Sequence, residues 1–281
     1  MDEGGGVMSG MLLMGCGPGN GASFVGALDA YSSNLPLALS VTNRLLASFT
    51  GYAYNARRSS DSATMDVAFN ADGTVNTTAL LAWTGSNSAF ITKVYNQGSG
   101  GSGLDAAQST AANQPRIVNA GVLDDGMRMN NSLFLDVPSS AASVYTDGTN
   151  VQVGIKAAFD SGAILGRTFS FNSDAFGAYL QYAGVLYWDA PFPSGRLFGA
   201  QPAGYNTGYH TTSLERAAST SNVRVDGTVA LTGSVASSIT GTSVLRIGTL
   251  SSGASGMQGN LRTFCLWKDC TNPAARAAAI P

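Results

Sequence analysis

The residues best suited to hold a ligand stand together in Tyr187-Trp188-Asp189, at a strand-to-loop junction followed by Ala190-Pro191-Phe192-Pro193. Flat rings on which a sugar can stack lie there beside a carboxylate, so Tyr187, Trp188 and Asp189 are the candidate binding residues. Trp83 and Trp267 fall at helix or strand positions that argue for core. Arg57, Arg58 and Asp61 carry a second kind of chemistry, because guanidinium forks pair bidentately with carboxylates. Read structurally, these three form an internal lock between a helical segment and a sheet. His210, the single histidine, has no Gly-x-Ser-x-Gly elbow to work with and reads as an ordinary loop or strand residue. Cys16, Cys265 and Cys270 cannot form a framework of paired bridges, and one histidine completes no zinc set. No metal and no other cofactor is expected. Asn70-Ala71-Asp72-Gly73 lacks the distal glutamate of a calcium loop, and it reads as a turn, as does Asp124-Asp125-Gly126. No Lys-Ser/Thr follows the glycine run Gly98 to Gly103, which rules out a phosphate loop.

The elements that must position these residues are mostly strands. With 35 glycines among 281 residues, 11% charged and 44% hydrophobic, the chain is rich in turns and able to bury a sizeable core. A net charge of −2 leaves no basic patch for nucleic acid, and no run of about 18 apolar residues spans a membrane. Neither is expected as a partner. Residues 1 to 35 read as an extended N-terminal arm, and 36 to 281 as one domain. Leu37, Val41, Leu45 and Phe49, four apart, predict a short helix ended by Gly51, and a second is predicted from Asn76 to Trp83 with Gly85 at its end. Tyr52 to Phe69 reads as extended, and Phe90 to Tyr95 opens a series of strands. Val151, Val153 and Ile155 alternate with Gln152, Gly154 and Lys156, which predicts one buried and one wetter face. Hairpins are predicted at Ala183-Gly184 and Asp226-Gly227. Leu261 to Trp267 sets Thr263, Cys265 and Trp267 on one face and Arg262, Phe264 and Leu266 on the other. Asn272-Pro273 opens a C-terminal helix. Many short strands between glycine-rich turns make a mostly β sandwich or jelly roll with a few short helices.

Two stretches carry a family resemblance. Leu39-Ser40-Val41-Thr42-Asn43-Arg44, Tyr52-Ala53-Tyr54-Asn55-Ala56-Arg57-Arg58-Ser59-Ser60-Asp61, Val94-Tyr95-Asn96-Gln97-Gly98 and Gln114-Pro115-Arg116-Ile117-Val118 together resemble the catalytic module of the arabinofuranosidase B family and its phage-encoded relatives. Val223-Arg224-Val225-Asp226-Gly227, Leu245-Arg246-Ile247-Gly248 and Gly259 to Trp267 resemble the last strands of laminin-G-like and concanavalin-A-like jelly rolls. The resemblance implies a concanavalin-A-like jelly-roll sandwich. Retaining glycosidases need two carboxyl groups about 5–5.5 Å apart. The chain has only two glutamates, Glu3 and Glu215, neither aligned with the family's nucleophile, and its cysteines are not vicinal. No catalytic residue is therefore assigned.

These readings predict a non-enzymatic virion protein of a tailed bacteriophage, a decoration or tail-associated module made in the bacterial cytoplasm. Its expected partners are other virion proteins or copies of itself, with surface glycans as a further ligand. Met11, Leu12, Leu13 and Met14, an apolar cluster among glycines, are the expected attachment element. The alternative is an arabinofuranosidase-like glycoside hydrolase, or a cell-surface carbohydrate-binding module.

Overall fold

The computed structural model describes residues 23–138, 149–160, 166–171, 176–189, 195–234, 244–249 and 256–281. They form a mostly β, jelly-roll-like sandwich in which the strands pair antiparallel. One sheet runs, in spatial order, Thr228–Ser234, Thr220–Val225, Tyr209–Ala217, Val151–Phe159 and Gln258–Trp267. The far edge of Gln258–Trp267 is shared end to end by Leu37–Ser40 and Val122–Asn130.

The second sheet runs Arg196–Ala200, Val185–Asp189, Phe176–Tyr182, Gly166–Phe171, Leu245–Ile247 and Leu135–Val137. It continues through Ala106–Ala107 to Ala89–Val94, Tyr54–Arg58 and Thr64–Val67. Arg116–Asn119 ties Ala89–Val94 to Val122–Asn130, so the hydrogen-bonded ladder turns one side of the sandwich without a break. The opposite side closes by side chains. There Arg196–Ala200 and Thr228–Ser234 face each other, and no ladder pairing joins them among the described residues. A Cβ on Gly199 would lie 2.3 Å from Leu231 Cδ2, and one on Gly233 2.8 Å from Leu197 Cδ1.

The main core lies between the sheets, where Phe169 meets Phe264 edge-on at 5.4 Å and Phe176 meets Trp188 at 5.0 Å. A second core, of Leu28, Leu35, Leu45, Cys265, Trp267 and Ile280, covers the outside of Gln258–Trp267. Residues 23–35, expected as part of the arm, lie here: Leu28 and Leu35 are fully buried and the Tyr31 carbonyl accepts the Trp267 indole N–H.

Several expected elements are present. The helix Thr77–Thr84 is capped by Asn76, whose Oδ1 accepts the Ala79 N–H at 3.0 Å, and it ends at Gly85. Both hairpins form on left-handed residues, Ala183 and Gly184 at φ 49° and 80° and Asp226 and Gly227 at 46° and 83°. Others differ. The helix expected from Pro36 to Gly51 is instead the strand Leu37–Ser40 followed by irregular chain. Its residues are buried on both faces, Leu37 and Leu39 in the main core and Ala38 in the second, so spacing by four did not report a helical stripe.

In Val151–Phe159 the wetter face is present only at Lys156 and Ala158 and is lost at Gln152 and Gly154. Gly154 packs on Ile280 and the Gln152 amide donates to the Pro273 carbonyl, because the C-terminal segment covers that side. A bulge between Leu261 and Thr263 turns Arg262 outward while Leu261 and Phe264 both point into the main core. Pro273–Ala278 is helical as expected, although Asn272, at φ 52°, makes no side-chain cap bond. Asp124, Asp125 and Gly126 belong to the strand Val122–Asn130 rather than to a turn.

Candidate functional site

Alternation along a strand sends neighbouring side chains to opposite faces. In Val185–Asp189 it points Leu186 and Trp188 into the core and leaves Tyr187 outside. Trp188 is fully buried against Phe176 and Phe169, so it cannot serve as an open platform. Its two neighbours remain on the outer face, and across the hairpin Tyr179 pairs with Tyr187, which in turn pairs with Phe198.

Tyr179, Tyr182 and Tyr187 meet edge to face at 5.4–6.0 Å, and Phe198 stacks on Tyr187 at 5.8 Å. The three tyrosines and Arg196 line a hollow of about 160 Å³. Tyr182 and Phe198 are solvent-exposed, which leaves aromatic surface available to a partner.

Asp189 lies behind this hollow and is completely buried. A buried carboxylate is costly unless paired and hydrogen-bonded. Arg196 supplies both, with Nε 2.7 Å from Oδ1 and Nη2 2.9 Å from Oδ2, and Arg167 Nη2 stands 3.7 Å away. The two guanidiniums also lie over Tyr187 and Tyr179, at 5.1 and 4.8 Å from the ring centres. Glycine at 177 makes room for Arg167, since a Cβ there would come within 2.4 Å of the Phe169 carbonyl and 2.7 Å of Arg167 Nη2. Asp189 therefore positions Arg196, and through it the tyrosines. No carboxyl group is among the described residues that line the hollow.

A larger cleft, of about 460 Å³, lies by the tight turn at Asp226. Ala200, Pro202, Ala203, Val225 and Ala230 give it apolar walls, and Tyr205 stacks on His210 at 5.2 Å. His210 Nδ1 is 2.6 Å from Asp226 Oδ2 and Nε2 is 3.1 Å from the Gly204 carbonyl oxygen. Each ring nitrogen faces an oxygen acceptor, so the ring is tethered between Asp226 and Gly204.

The remaining candidates hold structure. Arg58 grips Asp61 through Nε at 3.1 Å and Nη2 at 2.6 Å, and donates from Nη1 to the Trp83 carbonyl at the end of the Thr77–Thr84 helix. The Arg58 hydrogen bond is the main cause that lowers the Asp61 carboxyl to about 2. Arg57 donates to Gln114 Oε1 at 2.8 Å. Glu215 pairs with Arg224 Nε at 2.9 Å, opposite in face to core Leu214. Cys270 is close enough to feel it: burial first, then the Glu215 charge, pushes that thiol up to about 12. Arg116 holds Asp124 bidentately and Arg262 pairs with Asp125. Among the described residues no set of three His, Cys, Asp or Glu is placed to hold a metal ion. Met11, Leu12, Leu13 and Met14 lie outside the described residues.

The sequence reading missed Tyr179, Tyr182, Arg196 and Phe198. Regular register from the hairpin at Ala183-Gly184 would set Leu180 opposite Tyr187; a shift between Tyr179 and Tyr182 brings Tyr179 there instead, which the hairpin signal does not announce.

The family model of the alpha-L-arabinofuranosidase B catalytic domain matches residues 29–163, just under half of the chain. No curated protein sequence matches it. Among solved structures, a GH54 α-L-arabinofuranosidase soaked with a cyclic sulfate inhibitor is similar at a TM-score of 0.63 and 14% identity, over 91% of this chain and 65% of that one. An arabinofuranosidase complexed with arabinofuranosyl-α-1,2-xylobiose is similar at a TM-score of 0.64, with the same identity and coverage. The chain thus resembles the catalytic module of that family and shares its fold, and it spans 65% of the length of these structures. The match to a catalytic domain overturns the expectation of a non-enzymatic phage virion protein, for which these comparisons supply no support.

Proposed function

We propose that the chain is a glycoside hydrolase of the arabinofuranosidase type, with the tyrosine hollow over Asp189 as its sugar-contacting surface. The observation that carries this reading is the match of residues 29–163 to an arabinofuranosidase catalytic domain. The hollow adds chemical fit, since tyrosine rings present C–H-stacking faces and hydroxyls together while Arg196 supplies N–H donors. One observation favours a second reading, saccharide binding without turnover: the described lining of the hollow holds no carboxyl group, and Asp189 and Glu215 are each engaged by arginine.

Release of nitrophenol from 4-nitrophenyl α-L-arabinofuranoside by the purified chain separates the two. Turnover well above buffer, reduced by Tyr187→Ala through a raised KM, is the expected result. A folded protein that binds arabinofuranosides in the hollow without cleaving them would leave the binding reading, and one that does neither would overturn both.

A further inference from the structure

The cleft beside Asp226 is separate from the tyrosine hollow, and its chemistry is specific. Asp226 sits at the first central position of a tight turn, with Oδ1 accepting the Thr211 N–H at 2.8 Å and Oδ2 facing His210 Nδ1. Each carboxylate oxygen has two lone-pair sites, so each keeps one acceptor site beyond these bonds. The side chain is half exposed. A carboxylate that offers one free acceptor site on each oxygen matches two adjacent hydroxyls. Thr228 adds a hydroxyl to the same cleft, and Pro202, Ala203, Val225 and Ala230 form apolar walls that suit the C–H face of a ring.

Charge narrows the ligand further. His210 and Lys156 both act on Asp226, and Lys156 Nζ is hydrogen-bonded to Thr211 Oγ1 at 3.1 Å. With two basic groups already beside the carboxylate, a cationic ligand gains little there, and an anion meets the carboxylate itself. Tyr205, the other titratable group on the cleft, is buried and spends its hydroxyl on Thr212. What fits is a neutral polyhydroxylated ring.

We propose that this cleft is a second saccharide-binding site, which holds one residue of a neutral glycan by paired hydroxyls on Asp226 and stacks its C–H face on the Pro202–Ala203 wall. It would hold a glycan on the protein without taking part in chemistry. The ligand class rests on the carbohydrate reading above, while the location does not.

The test is an amide chemical-shift titration of the whole chain with arabinofuranosyl-α-1,2-xylobiose, run beside methylammonium and acetate. The trisaccharide is expected to shift the Thr211 and Ala203 amides saturably. Asp226→Asn, which an Asn-Gly turn tolerates, should weaken that response about tenfold, as loss of a hydrogen bond to a charged group implies. Ala203→Leu, which fills the cleft and spares the carboxylate, should abolish it. Tyr187→Ala should leave it unchanged. Shifts confined to the tyrosine hollow would sink this inference and leave the hydrolase reading standing. Saturation by methylammonium or acetate in place of the trisaccharide would sink it too, as would an Asp226→Asn response equal to that of the parent chain.

Discussion

The segment matched by the family, 29–163, and the strands that follow it, 166–234, bury different polar groups. In the first, neutral side-chain amides pin the buried backbone, while the ion pairs Arg58–Asp61, Arg116–Asp124 and Arg128–Asp160 lie nearer the surface. Asn96 Oδ1 accepts the N–H groups of Ala38 and Gly98 at 2.8 and 2.9 Å, and its Nδ2 donates to the carbonyls of Pro36 and Gly101. Gln97 accepts from Leu45 N and donates to the Asn43 carbonyl, and Gln114 bridges Arg57 to the Gln108 carbonyl. In the second, the carboxylates of the ion pairs are themselves buried, Asp189 against Arg196 and Glu215 against Arg224, with the tyrosine group above the former. Asn96, Gln97, Gln114 and Arg57, within the matched residues, hold the scaffold, whereas the hollow and the cleft lie beyond them. Likeness of this kind reports how the chain folds more directly than what it holds.

The largest effect of that contrast is at Asp189. Asp189→Asn leaves two guanidiniums beside a neutral group in a buried place, and should cost about 3–5 kcal/mol in urea unfolding, the usual penalty for breaking a buried pair. A loss below about 1 kcal/mol, the size of an exposed pair, would show that the second region does not depend on its charges. Asn96→Ala should cost about 3 kcal/mol, since it strands the Ala38 N–H and other buried backbone groups at about 1–3 kcal/mol each. Hydrogen exchange should show the loosening at residues 35–45 and not at the hollow.

Tyr182→Ala, at an exposed rim, should change stability little and weaken arabinofuranoside binding about threefold to tenfold, the scale of one aromatic contact. A smaller effect concerns Asp105, which burial raises above the ordinary carboxylate value, against the Asn96 N–H bond and Lys93, which lower it. A folded value above the unfolded one means that the stabilisation is present below the unfolded value, near pH 4, and is lost as pH rises through the folded one. Asp105→Asn should therefore match the parent chain in Tm at acid pH and exceed it slightly at neutral pH. The reverse order would mean that the Lys93 attraction outweighs burial.

Much of the scaffold could be read from the sequence, because turn chemistry is local. Asn76 with Gly85, Ala183-Gly184 and Asp226-Gly227 fix backbone angles by their own side chains or lack of them. What escaped the reading depends on layers that the local sequence does not see. Leu37–Ser40 looks amphipathic with a helical period only until the Gln258–Trp267 edge and the outer core are both in place. The site showed the same limit in miniature: Tyr187, Trp188 and Asp189 are adjacent in sequence, yet a strand can turn only the first and third outward, and Arg196 then covers the third.

The unladdered side of the sandwich has a mechanical consequence. Where Arg196–Ala200 meets Thr228–Ser234, Leu231 sits in the gap left by Gly199 and Leu197 in that left by Gly233, so among the described residues side-chain fit aligns the two edges. Among the described residues, such a seam of sockets can slide or part without breaking a ladder hydrogen bond. Ala200 and Ala230 flank this seam and also wall the Asp226 cleft. Parting the seam would therefore reshape the cleft, and a ligand wedged against both edges would act as a pin that holds the two sheets in register.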